Sequence, residues 1–330
     1  MKYIDLDRIK NYPWDLKFAQ TQTYEMCIEA IKIDGLLLKD IRWNELNITK
    51  EQVYNLYLTA VKNDGYALEY VKWSELESGL SKEQINEICL IAVKTDGLAL
   101  KYVKNQTEEI CMIAVRNNGL ALEYVEEQTM EICIEAVRND GEALEYVKKQ
   151  TPEVCMEAVR RDGEALEYVN NQFYEICIEA VKQNSLALEY VNWDKFTKEQ
   201  FIEMCLMVVK QDGLALAYID DKLDEICREA LRQNKHAIKY IKDKDKYLKE
   251  FDIKYLERQE EASEVIAIKE EGRWLFTVGC QINITKEEFI YRIYNEGGGF
   301  DPEKDINVHR QVYLDFLKEI REYENGYLLI

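Results

Sequence analysis

Histidine, proline and glycine are scarce in this 330-residue chain, at 2, 3 and 14 residues. Two histidines, His236 and His309, leave little for imidazole catalysis or for a histidine-rich metal site. So few prolines and glycines exclude a linker-rich or collagen-like chain. There is no HExxH, no glycine-rich phosphate loop and no CxxC. No stretch approaches the roughly 20 consecutive apolar residues of a membrane span. The opening MKYIDLDRIK has no apolar run of the kind a signal peptide needs, so no secretion signal is expected. Positive charge is also short: 43 Lys and Arg stand against 63 Asp and Glu, a net charge of −20. Phosphate recognition needs clustered cations, so neither nucleic acid nor an anionic membrane is expected as a direct partner.

What the chain has is repetition. The core Cys–x–x–Ala–Val–basic recurs at Cys89, Cys111, Cys133, Cys155 and Cys177, at intervals of 22 residues. Cys205 follows after 28 residues and Cys227 after a further 22. Cys27 and Tyr57 hold the same position upstream, which makes nine units. A fixed period of this size is the mark of a repeat architecture. One period holds two helices. In EICIEAVRNDGEALEYVKKQ (131–150), Thr129 caps the first helix, and Ile132, Cys133, Ala136 and Val137 share one face. In the following unit Pro152 suits the first helical position. Gly141 stands where a left-handed C-cap is expected. Ala143, Leu144, Tyr146 and Val147 form the face of a short second helix. Neither helix can bury its face alone, but stacked neighbours can.

Three longer connections, each carrying a tryptophan (Trp43, Trp73, Trp193), end in Ser/Thr-Lys-Glu-Gln. Thr49, Ser81 and Thr197 with Gln52, Gln84 and Gln200 read as capping boxes, which lengthen those first helices by about one turn. Pro13 to Ala19 aligns with a second helix, so the array begins with half a repeat, and residues 1–12 cap it. Repetition fades after Ile241. Lys242 to Glu261 reads as a charged helix. Residues 264–268 and 273–278 read as a β-hairpin around Glu271-Gly272, followed by a capped helix from Asn283 to about Asn295 and a last helix from about Val308 to Tyr323. The expected fold is mainly α. It is an α-solenoid of about nine two-helix repeats of 22–32 residues over 1–244, followed by a small α+β module over 245–330.

The units, AVRNDGEALEYV and its kin, resemble the bacterial repeat family catalogued as domain of unknown function 4116, over about residues 13–244. The resemblance implies an all-helical repeat protein, often from host-associated bacteria or their mobile elements. It carries no defined activity and no site residues.

Three rows run along the repeats. Tyr70, Tyr102, Tyr124, Tyr146, Tyr168, Tyr190, Tyr218 and Tyr240 form a ladder that is either a contact row or inter-helix packing. Glu123, Glu145, Glu167 and Glu189, with Glu142 and Glu164 beside them, form an acidic ridge in units four to seven. It is either a docking strip for a basic partner or a solvated face. A basic row from Lys32 through Arg116, Arg138 and Arg160 to Arg232 suits helix C-termini and nearby carboxylates. Eight of the nine cysteines are phased with the repeats. Helices 8–10 Å apart do not bring successive Cα atoms within disulfide range. These positions read as small buried apolar residues in a reducing, cytoplasmic setting, of the producing cell or of a host.

These observations predict a non-enzymatic scaffold that recognises another protein, one with a basic surface, through its repeats. The strip expected to make contact is Glu123, Glu142, Glu145, Glu164, Glu167 and Glu189 with Tyr102, Tyr124, Tyr146, Tyr168 and Tyr190. No cofactor and no metal are expected. One alternative is an acidic inhibitor, from a phage or mobile element, that occupies the nucleic-acid-binding surface of a defence or host protein. Another is an enzyme whose chemistry lies in the C-terminal module, with Cys280 as nucleophile and His309 as base near Gly297–Gly299. A single Cys and a single His without a local signature carry that reading only weakly.

Overall fold

The computed structural model describes residues 4–74, 79–259, 262–295, 300–301, 306–307 and 310–326. The chain divides into two compact units, Met1–Phe196 and Thr197–Ile330. The first holds the N-terminal cap and repeats one to seven. The second holds repeats eight and nine and the β-containing module. The repeat pattern itself ends near residue 244.

Each repeat is an α-helix followed by a 3-10 helix. In repeat five the α-helix is Met130–Asn139 and the 3-10 helix Gly141–Tyr146. Thr129 accepts from the Ile132 N–H, and Ile132, Cys133, Ala136 and Val137 are buried as the periodicity requires. Pro152 opens the next helix at its first position. Thr49, Ser81 and Thr197 form the expected capping boxes, and their helices run 14 residues rather than 10, the additional turn. The half-repeat also appears, with the helix Leu6–Asn11 ahead of the 3-10 segment Pro13–Phe18.

Within the repeats the short second helix has a definite class, and the expected glycine C-cap is corrected. The second helix is 3-10, closed by i→i+3 bonds such as Ala143 N–H to Asp140 O at 3.1 Å and Val147 N–H to Leu144 O at 3.2 Å. Gly141 is not in the left-handed region, which among the described glycines is occupied by Gly272 and Gly279. Asp140 makes the turn instead, in extended conformation at φ −145°, and its Oδ1 accepts from the Glu142 N–H at 3.0 Å. Glycine is needed for close approach. A Cβ on Gly119 would stand 2.5 Å from the Ala136 carbonyl oxygen of the following repeat.

Side-chain amides bind the repeats together. Gln106, Gln128, Gln150 and Gln172 donate to the carbonyls of Tyr124, Tyr146, Tyr168 and Tyr190 at 2.7, 2.9, 2.7 and 2.8 Å. The Oε1 of each also accepts from a backbone N–H just beyond that tyrosine, as from Lys148 at 2.9 Å. The same oxygens accept from the thiols of Cys111, Cys133, Cys155 and Cys177 at 3.4–3.8 Å. The cysteine row is buried and free of disulfides, and in these repeats it also donates hydrogen bonds. A second rung comes from Asn117 and Asn139, whose Oδ1 atoms accept from Gly97 and Gly119 N–H at 2.7 Å. These bonds satisfy backbone groups that the short 3-10 helices leave open.

In the second unit, the described part of the expected charged helix, 242–259, is not one helix. A short helix, Asp245–Leu248, is followed by strand β1, Ile253–Leu256. Tyr247 is buried, and its hydroxyl donates to Asp224 at 2.8 Å, which ties this short helix to repeat nine. Strands β2 (Val265–Glu270) and β3 (Arg273–Val278) form the predicted hairpin, with Glu271 and Gly272 both at positive φ, as a two-residue primed turn demands. Strand β4 (Gln281–Thr285), not foreseen, completes an antiparallel sheet in the order β1-β2-β3-β4. Helices Lys286–Asn295 and Arg310–Gly326 follow, with Thr285 accepting from the Glu288 N–H at 3.2 Å. One sheet face carries Val265, Ala267, Trp274 and Phe276 into a core with Phe289, Ile293, Phe316 and Ile320. Phe276 stacks on Phe289 at 4.7 Å.

Candidate partner-binding surface

The 3-10 geometry decides what each repeat displays. With three residues per turn, Glu142 and Glu145 eclipse one another, while Gly141, Ala143 and Leu144 turn inward. Glu142, Glu123, Glu145, Glu167 and Glu189 are exposed, and Glu164 is half-buried. The tyrosines of the same row, Tyr102, Tyr124, Tyr146, Tyr168 and Tyr190, are half-buried.

Acidic ridge and tyrosine row lie together. The Tyr146 hydroxyl is pushed above its ordinary pKa first by the charge of Glu145, then by burial and by Glu123. Tyr190 is raised first by Glu167. Tyr168 is raised by burial, then by Glu167 and Glu145. Each ring therefore sits in the field of carboxylates from its own repeat and the one before it. Repeats one, three and nine reverse the pattern, because Lys39, Lys101 and Lys239 hold the ridge-side positions. Lys101 Nζ stands 4.8 Å over the Tyr66 ring and 4.7 Å over the Tyr102 ring. Among the described residues no cation covers Tyr124, Tyr146, Tyr168 or Tyr190.

The basic row is engaged elsewhere. Arg116, Arg138 and Arg160 donate to Glu135, Glu157 and Glu179 of the following repeat at 3.0, 2.6 and 3.1 Å. The chain thus has two acidic rows of different character. Glu135, Glu157 and Glu179 are paired with arginine. Among the described residues, none of the six strip carboxylates enters an ion pair, and Glu164 accepts only from the Asn184 amide at 2.8 Å.

Cys280 is exposed in the turn between β3 and β4, where its Sγ accepts from Gln281 Nε2 at 3.4 Å. His309 and Gly297–Gly299 lie outside the described residues. Among the described residues no cluster of three His, Cys, Asp or Glu is placed to hold a metal ion. No helix among them is long and apolar enough to cross a membrane.

Sequential stacking of two-helix repeats, knitted by amide rungs, defines a helical repeat protein of solenoid type. The model of the family described as domain of unknown function DUF4116 matches the chain four times, over residues 86–130, 129–174, 151–196 and 202–246. The repeats between residues 86 and 246 match that family's model, as the repeat motif leads one to expect. No curated protein and no solved structure matches the chain.

Proposed function

We propose that the protein is a non-enzymatic scaffold whose repeats four to seven bind a lysine- or arginine-rich segment of another protein. The observation that carries this reading is the contrast between the two acidic rows. One is neutralised by arginines of the preceding repeat, and the other is exposed beside uncovered tyrosine rings. Lys101, seated over Tyr66 and Tyr102, is an internal example of the contact a partner's lysine would make. A cation there gains from the ring face and from the ridge carboxylates together.

Titration of a lysine-rich peptide into the full chain tests this reading. Affinity should fall steeply with salt, and changing Glu123, Glu145, Glu167 and Glu189 to Gln should weaken it at least tenfold. Binding indifferent to both would remove the strip from the account. The net charge of −20 favours a second, narrower reading, an inhibitor that covers a partner's nucleic-acid-binding surface. On that reading the partner binds either this chain or its nucleic acid, never both.

A further inference from the structure

Repeat nine departs from the others at two adjacent positions. Lys235 stands where most repeats carry glycine, and His236 where they carry Leu, Tyr or Glu. Both reach the sheet. Lys235 Nζ donates to the Lys269 carbonyl at 3.3 Å. His236 Nε2 lies 2.9 Å from Thr277 Oγ1, and its Nδ1 faces Asn234 Oδ1 at 3.1 Å. The Asn234 oxygen only accepts, so Nδ1 carries the proton and the Thr277 hydroxyl donates to Nε2. Burial, with Lys239 nearby, lowers the His236 pKa and holds the ring neutral. Thr277 is paired directly opposite Ile266 in the β2–β3 ladder, so both lie on the sheet face turned away from the aromatic core. His236 is thus a pin between the last repeat and that face.

Around the pin lies a cleft of about 620 Å³, within the usual size range of small-molecule sites. Its apolar wall is Leu214, Ile266 and Ile282, and Ile282 is 68% exposed. Lys239 and Arg258 also line it, and among the described residues neither enters an ion pair. Among the described residues Glu264 is the one carboxylate in the lining, and it already accepts from the Tyr255 hydroxyl at 2.6 Å. On a chain of net charge −20, two cations, one of them seated over the Tyr240 ring, thus stand among the described residues of a cleft whose apolar wall includes the exposed Ile282.

We propose that this cleft binds a small organic anion, with a carboxylate or phosphate head group on Lys239 and Arg258 and a short apolar body against Leu214, Ile266 and Ile282. Arginine offers a planar fork to either head group, and lysine adds a point charge. A simple inorganic ion would leave the apolar wall unused. His236 and Thr277 are positioning residues, because their polar atoms are spent on each other and on Asn234 and Asn283.

Calorimetric titration of the full chain with phenyl phosphate, benzoate, neutral benzamide and inorganic phosphate tests the site. At least one aryl anion should bind, benzamide at least tenfold more weakly, and inorganic phosphate more weakly than phenyl phosphate. Which aryl anion binds assigns the head group. The double variant Lys239→Gln/Arg258→Gln should lose at least tenfold in affinity with an unchanged unligated melting temperature, and Ile282→Ala a smaller factor. The proposal is overturned if neither aryl anion binds, if benzamide binds as well as they do, or if the double variant binds equally.

Discussion

Gln128 Nε2 donates to the Tyr146 carbonyl at 2.9 Å, and Gln128 Oε1 accepts from the Lys148 N–H at 2.9 Å. One side chain in the loop before repeat five thereby closes the end of that repeat's own 3-10 helix, and it also takes the Cys133 thiol. Gln106, Gln150 and Gln172 do the same in their repeats. Gln128→Met keeps the volume but strands these groups, which should cost about 1–3 kcal/mol. Urea unfolding checks the figure. Because stability in an array is nearly a sum over repeats and interfaces, a lower slope alongside a lower midpoint would show the array splitting at this point.

Close approach makes a second prediction. Gly119→Ala forces a methyl against the Ala136 carbonyl of the next repeat, where the gap is 2.5 Å, and should destabilise by about 1–3 kcal/mol. Lys235 occupies the corresponding position in repeat nine, where a sheet rather than another repeat follows. Lys235→Ala should stay within about 0.5 kcal/mol of the parent. Equal losses at the two positions in thermal unfolding would contradict the packing argument.

The cysteines make a prediction about alkaline pH. Burial pushes the Cys27, Cys177 and Cys205 thiols up to about 12, and Cys89, Cys111 and Cys155 to about 11, from the ordinary 9.0. The folded chain therefore holds protons that the unfolded chain releases above pH 9. The stability these thiols contribute is intact below that pH and falls as pH rises from about 9 through 11–12. With a thiol-specific chromogenic reagent at pH 8, the native protein should show one fast-reacting group, the exposed Cys280, and the denatured protein nine. More than one fast group in the native state would mean that the cysteine row is accessible.

The two acidic rows should respond differently to mutation. Glu157→Ala removes the acceptor of Arg138 and Arg160, and should cost about 0.2–1 kcal/mol, since the arginines are exposed. The quadruple change of Glu123, Glu145, Glu167 and Glu189 to Gln should cost nothing and should raise the melting temperature at low salt, because it removes unpaired like charges. Scanning calorimetry at low and high salt distinguishes the two. A loss of stability in the quadruple variant would give the ridge a structural role.

Period and burial were readable in the sequence because they depend on side-chain chemistry repeated at a fixed interval. Ile132, Cys133, Ala136 and Val137 had to face inward, and Thr49 with Gln52 had to cap. The class of the second helix was not readable, since GEALEY has no feature that separates α from 3-10. In space Asp140 is the C-cap of one helix and the N-cap of the next. Gly141 looked like a C-cap because its requirement comes from a neighbouring repeat, not from its own backbone. The glutamine rungs were visible as a 22-residue recurrence, but nothing local shows which carbonyls they reach. Strand β1 was hidden among charges, because Ile253-Lys254-Tyr255-Leu256 becomes a strand only by pairing with β2. Of the candidate strip, the rows were legible and their pairing was not. Only the structure separates Glu157, held by arginine, from Glu145, which is unpaired.

The most direct test of the account is capture of cytosolic proteins by the native chain and by the variant with Glu123, Glu145, Glu167 and Glu189 changed to Lys. The native chain should retain a protein through a basic segment, salt should release it, and the variant should retain none of it. Retention of the same protein by the charge-reversed variant would contradict the account.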